Sequence, residues 1–428
     1  MRGRARRLFL DTAPLRLDRD YRWLWSGQVV SGMGNQITRV ALPFQVYVLT
    51  GSTLAIGALT LFQLVPILLF ALGAGTLADA VDRRRLLMVT QVGLAVCSAI
   101  LTVLALNGDP PVPVLFAVAF VMAGLGAVDQ PTRSSAIPRL VPAERLPAAI
   151  ALNQLNFQTA SIVGPAVGGV LIATIGIAGA YAVDVLTFAA TLGALVAIRP
   201  LPPLRDAARP GLAAIAEGLR FARRKRAILG SFAIDLNAMI FGMPTSLFPV
   251  LALHVFQTGP AGFGLLAAAP AVGSFLGALL SGWVSSVQRT GRAIVLAVVG
   301  WGLAITAFGL VSFSFPLALL FLALAGAADV FSAVFRSTLV QLSTPDELRG
   351  RVMSIHGLVV TSGPRIGDIE AALLASVVGP QAAVVSGGIL CLLGVVAVAR
   401  LFPELVAHTL PRPVADAANK EVSLESGT

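Results

Sequence analysis

Apolar residues along this chain come in long runs rather than in the short alternations of a soluble fold. The runs cover 23–49, 54–78, 86–106, 112–137, 148–175 and 178–198, then 227–256, 261–285, 293–312, 316–342, 350–378 and 381–402. Each has about the 20 residues a helix needs to cross a bilayer. Inside lipid the backbone must satisfy its own polar groups, so runs of this length predict helices. The pattern therefore predicts an all-α polytopic membrane protein of twelve transmembrane helices in two pseudo-symmetric halves. Thr50-Gly51-Ser52, Asn107-Gly108-Asp109-Pro110 and Gln257-Thr258-Gly259-Pro260 are turns without Lys or Arg. Loops holding Arg83, Arg84 and Arg85, then Arg139 and Arg145, Arg289 and Arg292, and Arg349 and Arg351 alternate with them. Basic loops stay on the cytoplasmic side, so both termini are expected there.

The organisation follows: a basic N-tail at 1–22, a first six-helix half at 23–198, a linker at 199–226, a second half at 227–402 and a C-tail at 403–428. The N-tail resembles the basic start of a signal peptide, but the run after it is too long for one, and it is expected to remain as the first helix. In the linker, Pro200-Leu201-Pro202-Pro203 excludes regular helix. Leu212, Ile215, Leu219 and Ala222 then recur at helical spacing ahead of Arg223, Arg224, Lys225 and Arg226. Two readings stand side by side, an amphipathic helix on the anionic leaflet and a solvated basic linker. The halves also repeat each other. Arg133-Ser134 matches Arg336-Ser337, and Pro142-Ala143-Glu144 matches Pro345-Asp346-Glu347, at an offset of 203. Gly164-Pro165-Ala166-Val167-Gly168-Gly169 matches Gly363-Pro364-Arg365-Ile366-Gly367-Asp368 at an offset of 199.

Composition narrows the function. Charged residues make up 12% of the chain and hydrophobic ones 56%, where a soluble domain has roughly a quarter charged. The net charge of +10 sits in the tail, the linker and alternate loops, which is topology rather than a nucleic-acid surface. Cys97 and Cys391 fall inside apolar runs and imply no disulfide framework. The only lysines are Lys225 and Lys420, and no G-x-x-x-x-G-K-[ST] loop is present, so a cycle must draw on an ion gradient. No cofactor or metal site is expected. The expected partners are a small organic substrate, protons and membrane lipids, with the chain acting as a monomer.

The loop after the second helix reads Gly75-Thr76-Leu77-Ala78-Asp79-Ala80-Val81-Asp82-Arg83-Arg84-Arg85. It resembles the signature loop of the major facilitator superfamily. Gly75 permits close helix approach, Asp79 can cap a helix or pair across the halves, and Arg83 and Arg84 hold the loop inside. Gly164, Pro165, Gly168 and Gly169 on helix 5 are similar to that superfamily's antiporter motif, with Ala160 where its upstream glycine stands. The family's usual basic residue ahead of the Gly124-x-Gly126 pair on helix 4 would fall at Phe120, so the resemblance does not carry that proton-relay element over to this chain. Tyr21-Arg22-Trp23-Leu24-Trp25, Pro131-Thr132-Arg133-Ser134, Leu140-Val141-Pro142 and Asp184-Val185-Leu186-Thr187-Phe188 extend the resemblance to the bacterial enterobactin-exporter-like and multidrug efflux branch. The resemblance implies a secondary transporter of the bacterial inner membrane, not an enzyme, exporting a siderophore or drug-like compound against protons. Import of a small nutrient on the same fold is the alternative.

Charges at membrane depth are costly and mark function. They are Arg39, Asp129, Arg133, Asp184, Asp235, Asp329, Arg336, Arg365, Asp368 and Glu370. In the superfamily fold helices 1, 4, 7 and 10 line the cavity, which implies that Arg39, Asp129, Arg133, Asp235, Asp329 and Arg336 lie around it. Arg133 and Arg336 approach the cytoplasmic end and are expected at a gate or at headgroup level. Asp184, on helix 6, is expected to be a structural hydrogen-bonding group. Arg365 and Asp368 share a helix face and are expected to pair. Asp368 and Glu370 are the first candidates for proton coupling, because their first-half counterparts are uncharged. Asp129, Asp235 and Asp329 are rivals. His356 is expected to be an interface histidine.

Overall fold

The computed structural model describes residues 11–71, 77, 80–203 and 212–409. Its helices follow the apolar runs: α1 (Arg19–Thr50), α2 (Thr53–Ala71), α3 (Arg83–Leu106) and α4 (Val112–Leu140). Leu146–Val196 turns at Gly176, where φ is 76° and ψ 175°, a conformation open essentially to glycine alone. That turn separates α5 (146–175) from α6 (177–196). The second half holds α7 (Arg226–Gly242), α8 (Gly259–Leu279), α9 (Thr290–Leu310), α10 (Phe315–Leu342), α11 (Asp346–Val378) and α12 (Pro380–Leu401). Among the described residues, nine stretches are long and apolar enough to span a membrane, and one of them contains both α5 and α6. α1 and α11 complete the twelve. They are 32 and 33 residues long and fall short only in apolarity, because they carry the polar side chains of the cavity described below.

Of the helix boundaries that differ from the sequence expectation, three have a local cause. α1 begins at Arg19 rather than 23, because Tyr21 and Trp25 are anchored: the Tyr21 hydroxyl donates to the Ala149 carbonyl at 2.8 Å and the Trp25 indole to that of Leu152 at 3.1 Å. α8 ends at Leu279, and a 3-10 segment, Ser281–Ser286, replaces its expected last turns. The seventh helix is broken. α7 stops at Gly242 and resumes through a 3-10 turn at Thr245–Leu247, Phe248–Val250 and a π turn at Leu251–Val255. Pro244 lacks the N–H that an uninterrupted helix would use.

The repeat is visible in how small residues let helices meet. A Cβ on Gly168 of α5 would stand 3.2 Å from Ile37 Cα of α1, and one on Gly367 of α11 3.1 Å from Ile240 Cα of α7. Gly57 of α2 faces Ala372 of α11, and its counterpart Gly264 of α8 faces Pro165 and Gly169 of α5. These two crossings join the halves at the end of the bundle whose loops carry no Lys or Arg. Phe44 on Phe263, Tyr47 on His254 and the Thr53 hydroxyl on the Ala372 carbonyl close the same end.

The basic end is knit by arginines. Arg83 is buried and donates from Nε to Ser135 Oγ at 3.0 Å, while Arg84 donates to the carbonyls of Leu195 and Val196, each at 2.8 Å. Asp82 caps α3 by accepting from the Arg85 N–H at 3.0 Å. Gly75 and Asp79, the centre of the signature loop, lie outside the described residues. The linker helix Leu212–Arg224 docks on α11: Glu217 pairs with Arg351 at 2.5 Å, Gly218 packs on Ile355 and Ala222 is fully buried. The segment after α12 folds back, so that His408 Nδ1 lies 2.8 Å from the Thr290 hydroxyl and the His408 carbonyl accepts from the Gly291 N–H at 3.1 Å.

Burial holds His408 below the ordinary histidine value of 6.5. A released tail therefore takes up a proton more readily than the docked one. Docking is at full strength well above that pH and weakens as pH falls through it. Hydrogen exchange at Gly291, corrected for intrinsic rate, should be faster at pH 5.5 than at pH 7.5. His408→Ala should remove that pH dependence.

Candidate substrate cavity

A cavity of about 690 Å³ lies between the halves and reaches from mid-bundle toward the basic end. Helices α1, α3, α4 and α5 build most of its wall, and α11 contributes Thr361 and Arg365 from the other half. Apart from the charged groups, the wall is rich in amides. Asn35 and Gln36 of α1, Gln91 of α3, Gln130 of α4, and Asn153 and Asn156 of α5 all face it. Sequence reasoning tracked charges and passed over these amides. The available signal was amide side chains recurring inside apolar runs, where lipid-facing positions would exclude them.

Four of the charged candidates line this cavity: Arg39, Asp129, Arg133 and Arg365. Asp129 is nearly buried and fully engaged. It accepts from Thr90 at 2.7 Å and Gln91 at 2.9 Å, and pairs with Arg133 one turn on at 2.5 Å. Arg39 is exposed to the cavity. Arg365 donates to the Thr361 carbonyl at 2.8 Å. The expected pairing of Arg365 with Asp368 does not form. Asp368 turns to the break in α7 instead, where its Oδ1 accepts from the Thr245 hydroxyl at 2.5 Å and the Ser246 N–H at 2.7 Å. The Ser246 hydroxyl donates back to the Asp368 carbonyl at 2.9 Å. A restarted helix exposes N–H groups without partners, and a carboxylate one helix away satisfies them better than an arginine on its own helix would satisfy it. Glu370, half-buried, has no hydrogen bond or ion pair among the described residues.

Asp235, Asp329 and Arg336 form a separate cluster in the second half. Arg336 is 2% exposed and pairs with Asp235 of α7 at 2.8 Å, reaches Asp329 at 3.7 Å and donates to Ser332 at 2.7 Å. Arg336, expected at a gate or at headgroup level, is a buried ion-pair residue, because α7 brings Asp235 against it. His356 stacks on Phe232 beside this cluster, with ring centroids 5.9 Å apart. Asp184 meets its expectation: fully buried, it accepts from Thr38 at 2.6 Å and Ser98 at 2.8 Å, tying α6 to α1 and α3. The four antiporter-motif residues serve two interfaces. Gly164 and Gly168 admit α1, while Pro165 and Gly169 meet α8 of the other half.

Relatives and solved structures agree with this architecture. A family model described as transmembrane secretion effector matches residues 11–424. The chain is 29% identical over 411 residues to an enterobactin exporter of Citrobacter koseri, covering 93% of this chain and 95% of that protein. It is 31% identical to the multidrug efflux pump Tap of Mycolicibacterium fortuitum, covering 86% and 93%. With macrolide efflux protein A of Streptococcus pyogenes it shares 27% identity, covering 83% and 89%. Among solved structures, the fold matches a bacterial homologue of the lysosomal transporter Spinster, in an inward-facing and unoccupied conformation. There the TM-score is 0.72 at 14% identity, with 92% of this chain and 98% of that one covered. It matches the nucleoside transporter NupG with a TM-score of 0.71 at 14% identity, covering 90% and 99%. With a twelve-helix bundle of two repeated halves, a cavity between them and a family match over nearly its whole length, this chain belongs to the transmembrane secretion effectors, in the efflux branch of the major facilitator superfamily.

Proposed function

We propose that this chain is an alternating-access carrier of a bacterial inner membrane that exports a siderophore or amphipathic drug-like compound in exchange for protons. Both termini face the cytoplasm and the monomer is the working unit. The observation that carries the reading is a cavity walled by both halves, extending toward the basic end and sealed at the other. Positive-inside topology makes the basic end cytoplasmic. An exporter awaiting cargo has this shape, and the named activities of its relatives agree with the direction.

The proton site we propose is Asp368, with Glu370 beside it and Asp129, Asp235 and Asp329 as alternatives. Asp368 lies one turn beyond Arg365 of the cavity wall and holds the break in the seventh helix. Protonating its carboxylate weakens the acceptor that holds Thr245 and Ser246, and so frees the outer part of that helix to move. Import of a nutrient uses the same parts in the opposite sense.

Proteoliposomes with an imposed pH gradient test the reading. Dye or siderophore should accumulate on the side opposite the cytoplasmic face only when protons can return, and accumulation with the protons would favour import. Asp368→Asn should abolish gradient-driven flux while substrate binding remains measurable. Asp368→Ala, which removes the acceptor altogether, should raise exchange of the Ser246 amide by roughly 5- to 30-fold, as loss of a cap worth about 1–2 kcal/mol implies. Wild-type exchange at Ser246 together with wild-type flux would remove Asp368 from the mechanism.

A further inference from the structure

The cavity wall is electrically lopsided. Three arginines line it, Arg39, Arg133 and Arg365, against one carboxylate, Asp129. The Arg133–Asp129 pair is neutral as a unit. Among the described residues neither Arg39 nor Arg365 has a carboxylate within ion-pair distance. Asp368, one turn beyond Arg365, is committed to Thr245 and Ser246. Arg39 and Arg365 line the same cavity from opposite halves. An unpaired guanidinium at membrane depth is costly and persists where something else compensates it. Here no carboxylate of the described residues closes an ion pair with either group, and both guanidiniums face a space large enough for a drug-sized solute.

We infer that Arg39 and Arg365 form a bipartite anion site, and that the cargo is a soluble organic anion carrying carboxylate-type oxygens. This rests on the export reading above and specifies its substrate class. The planar fork of arginine suits such oxygens, and the surrounding amides satisfy neutral polar groups on the same molecule. The two arginines come from opposite halves, Arg39 from α1 and Arg365 from α11. An empty carrier that closes around its cavity drives two positive charges toward each other. A bound anion bridges them, so closure favours the loaded carrier, and the cargo supplies the differential interaction that any ligand-driven shift requires. A cationic solute gains nothing from this pair.

Fluorescein and rhodamine 123 share a xanthene skeleton and carry opposite charge at mildly alkaline pH. Their equilibrium binding to the full-length protein in phosphatidylcholine nanodiscs, without any gradient, tests the site. Fluorescein should bind at least about tenfold more tightly than rhodamine 123, since charge-assisted hydrogen bonds carry this order of discrimination. Arg39→Gln and Arg365→Gln should each weaken fluorescein by about tenfold or more and leave rhodamine 123 unchanged or tighter. Arg39→Lys and Arg365→Lys should retain most of the binding. Rhodamine 123 binding as tightly as fluorescein would overturn the inference, and that comparison needs no variant. Fluorescein binding that is indifferent to both glutamine substitutions in folded protein would overturn it equally. In phosphatidylglycerol nanodiscs fluorescein binding should persist. Its loss there, with co-purifying phosphatidylglycerol released by Arg39→Gln, would make a lipid headgroup the ligand and overturn the soluble-anion assignment. Binding of fluorescein without proton-driven flux would sink the export reading and leave the anion site standing. Export of rhodamine 123 without fluorescein binding would do the reverse.

Discussion

Arg336→Met should destabilise the protein by about 3–5 kcal/mol, the range found when one partner of a buried ion pair is removed. Asp235 is 1% exposed and its carboxylate is held by Arg336 at 2.8 Å. Without the guanidinium, a negative charge stands inside the second half with no replacement among the described residues, since its other neighbour in the cluster, Asp329, is also acidic. The loss should appear as a lower midpoint in reversible unfolding by SDS in mixed micelles. Adding Asp235→Asn to Arg336→Met should recover much of it, because the stranded charge is then gone. A single variant as stable as wild type would mean that the cluster is hydrated or already neutral. A double variant no better than the single would assign the role of Arg336 to packing of its stem.

Gly169→Val should release the sealed end. A Cβ at Gly169 would stand 2.5 Å from the Pro260 carbonyl oxygen and 2.9 Å from Gly264 Cα, while one at Gly264 would stand 2.5 Å from the Pro165 carbonyl. All of these neighbours are backbone, so no side chain can swing away. Overpacking of this kind costs about 1–3 kcal/mol. Here it applies only while α5 and α8 touch, so it disfavours the state with this end closed. At about 1.4 kcal/mol per factor of ten, the population ratio should move by roughly 5- to 150-fold toward the state in which this end is open. Spin labels on cysteines placed at Ser52 and Thr258 should report a longer distance, against a quiet background because Cys97 and Cys391 are buried. Transport should fall while membrane insertion stays intact. Gly273→Val makes the contrast: it meets the Ala323 backbone within one half, so it should lower stability without shifting the spin-label distance. An unchanged Ser52–Thr258 distance in Gly169→Val would mean that this crossing does not govern closure.

The architecture was written in the sequence because the bilayer admits so few solutions. Runs of about 20 apolar residues have to become helices, basic loops fix their sense, and the drifting offsets between Gly164-Pro165 and Gly363-Pro364 announce two copies of one fold. The same spacing marked close crossings in both halves, at Gly168 and Gly367 and at Gly57 and Gly264, where small residues let helices meet. Membership of the family followed from these features, and so did the structural role of Asp184.

Charge partnerships were another matter. One-dimensional spacing put Arg365 with Asp368, yet Asp368 spans to α7, because a break at Pro244 left N–H groups that no pattern of apolar residues reveals. Arg336 looked like a gate or headgroup-level residue by its place along α10 and proved to be core, because Asp235 arrives from another helix. The cavity's amides were visible as letters but not as a wall, since which face of α1, α4 or α5 turns inward depends on helix rotation. Helix formation in lipid is a local decision, settled within each segment by backbone hydrogen bonding. Pairing of buried polar groups is settled between segments by whichever partner lies nearest after packing, and only the tertiary structure holds that information.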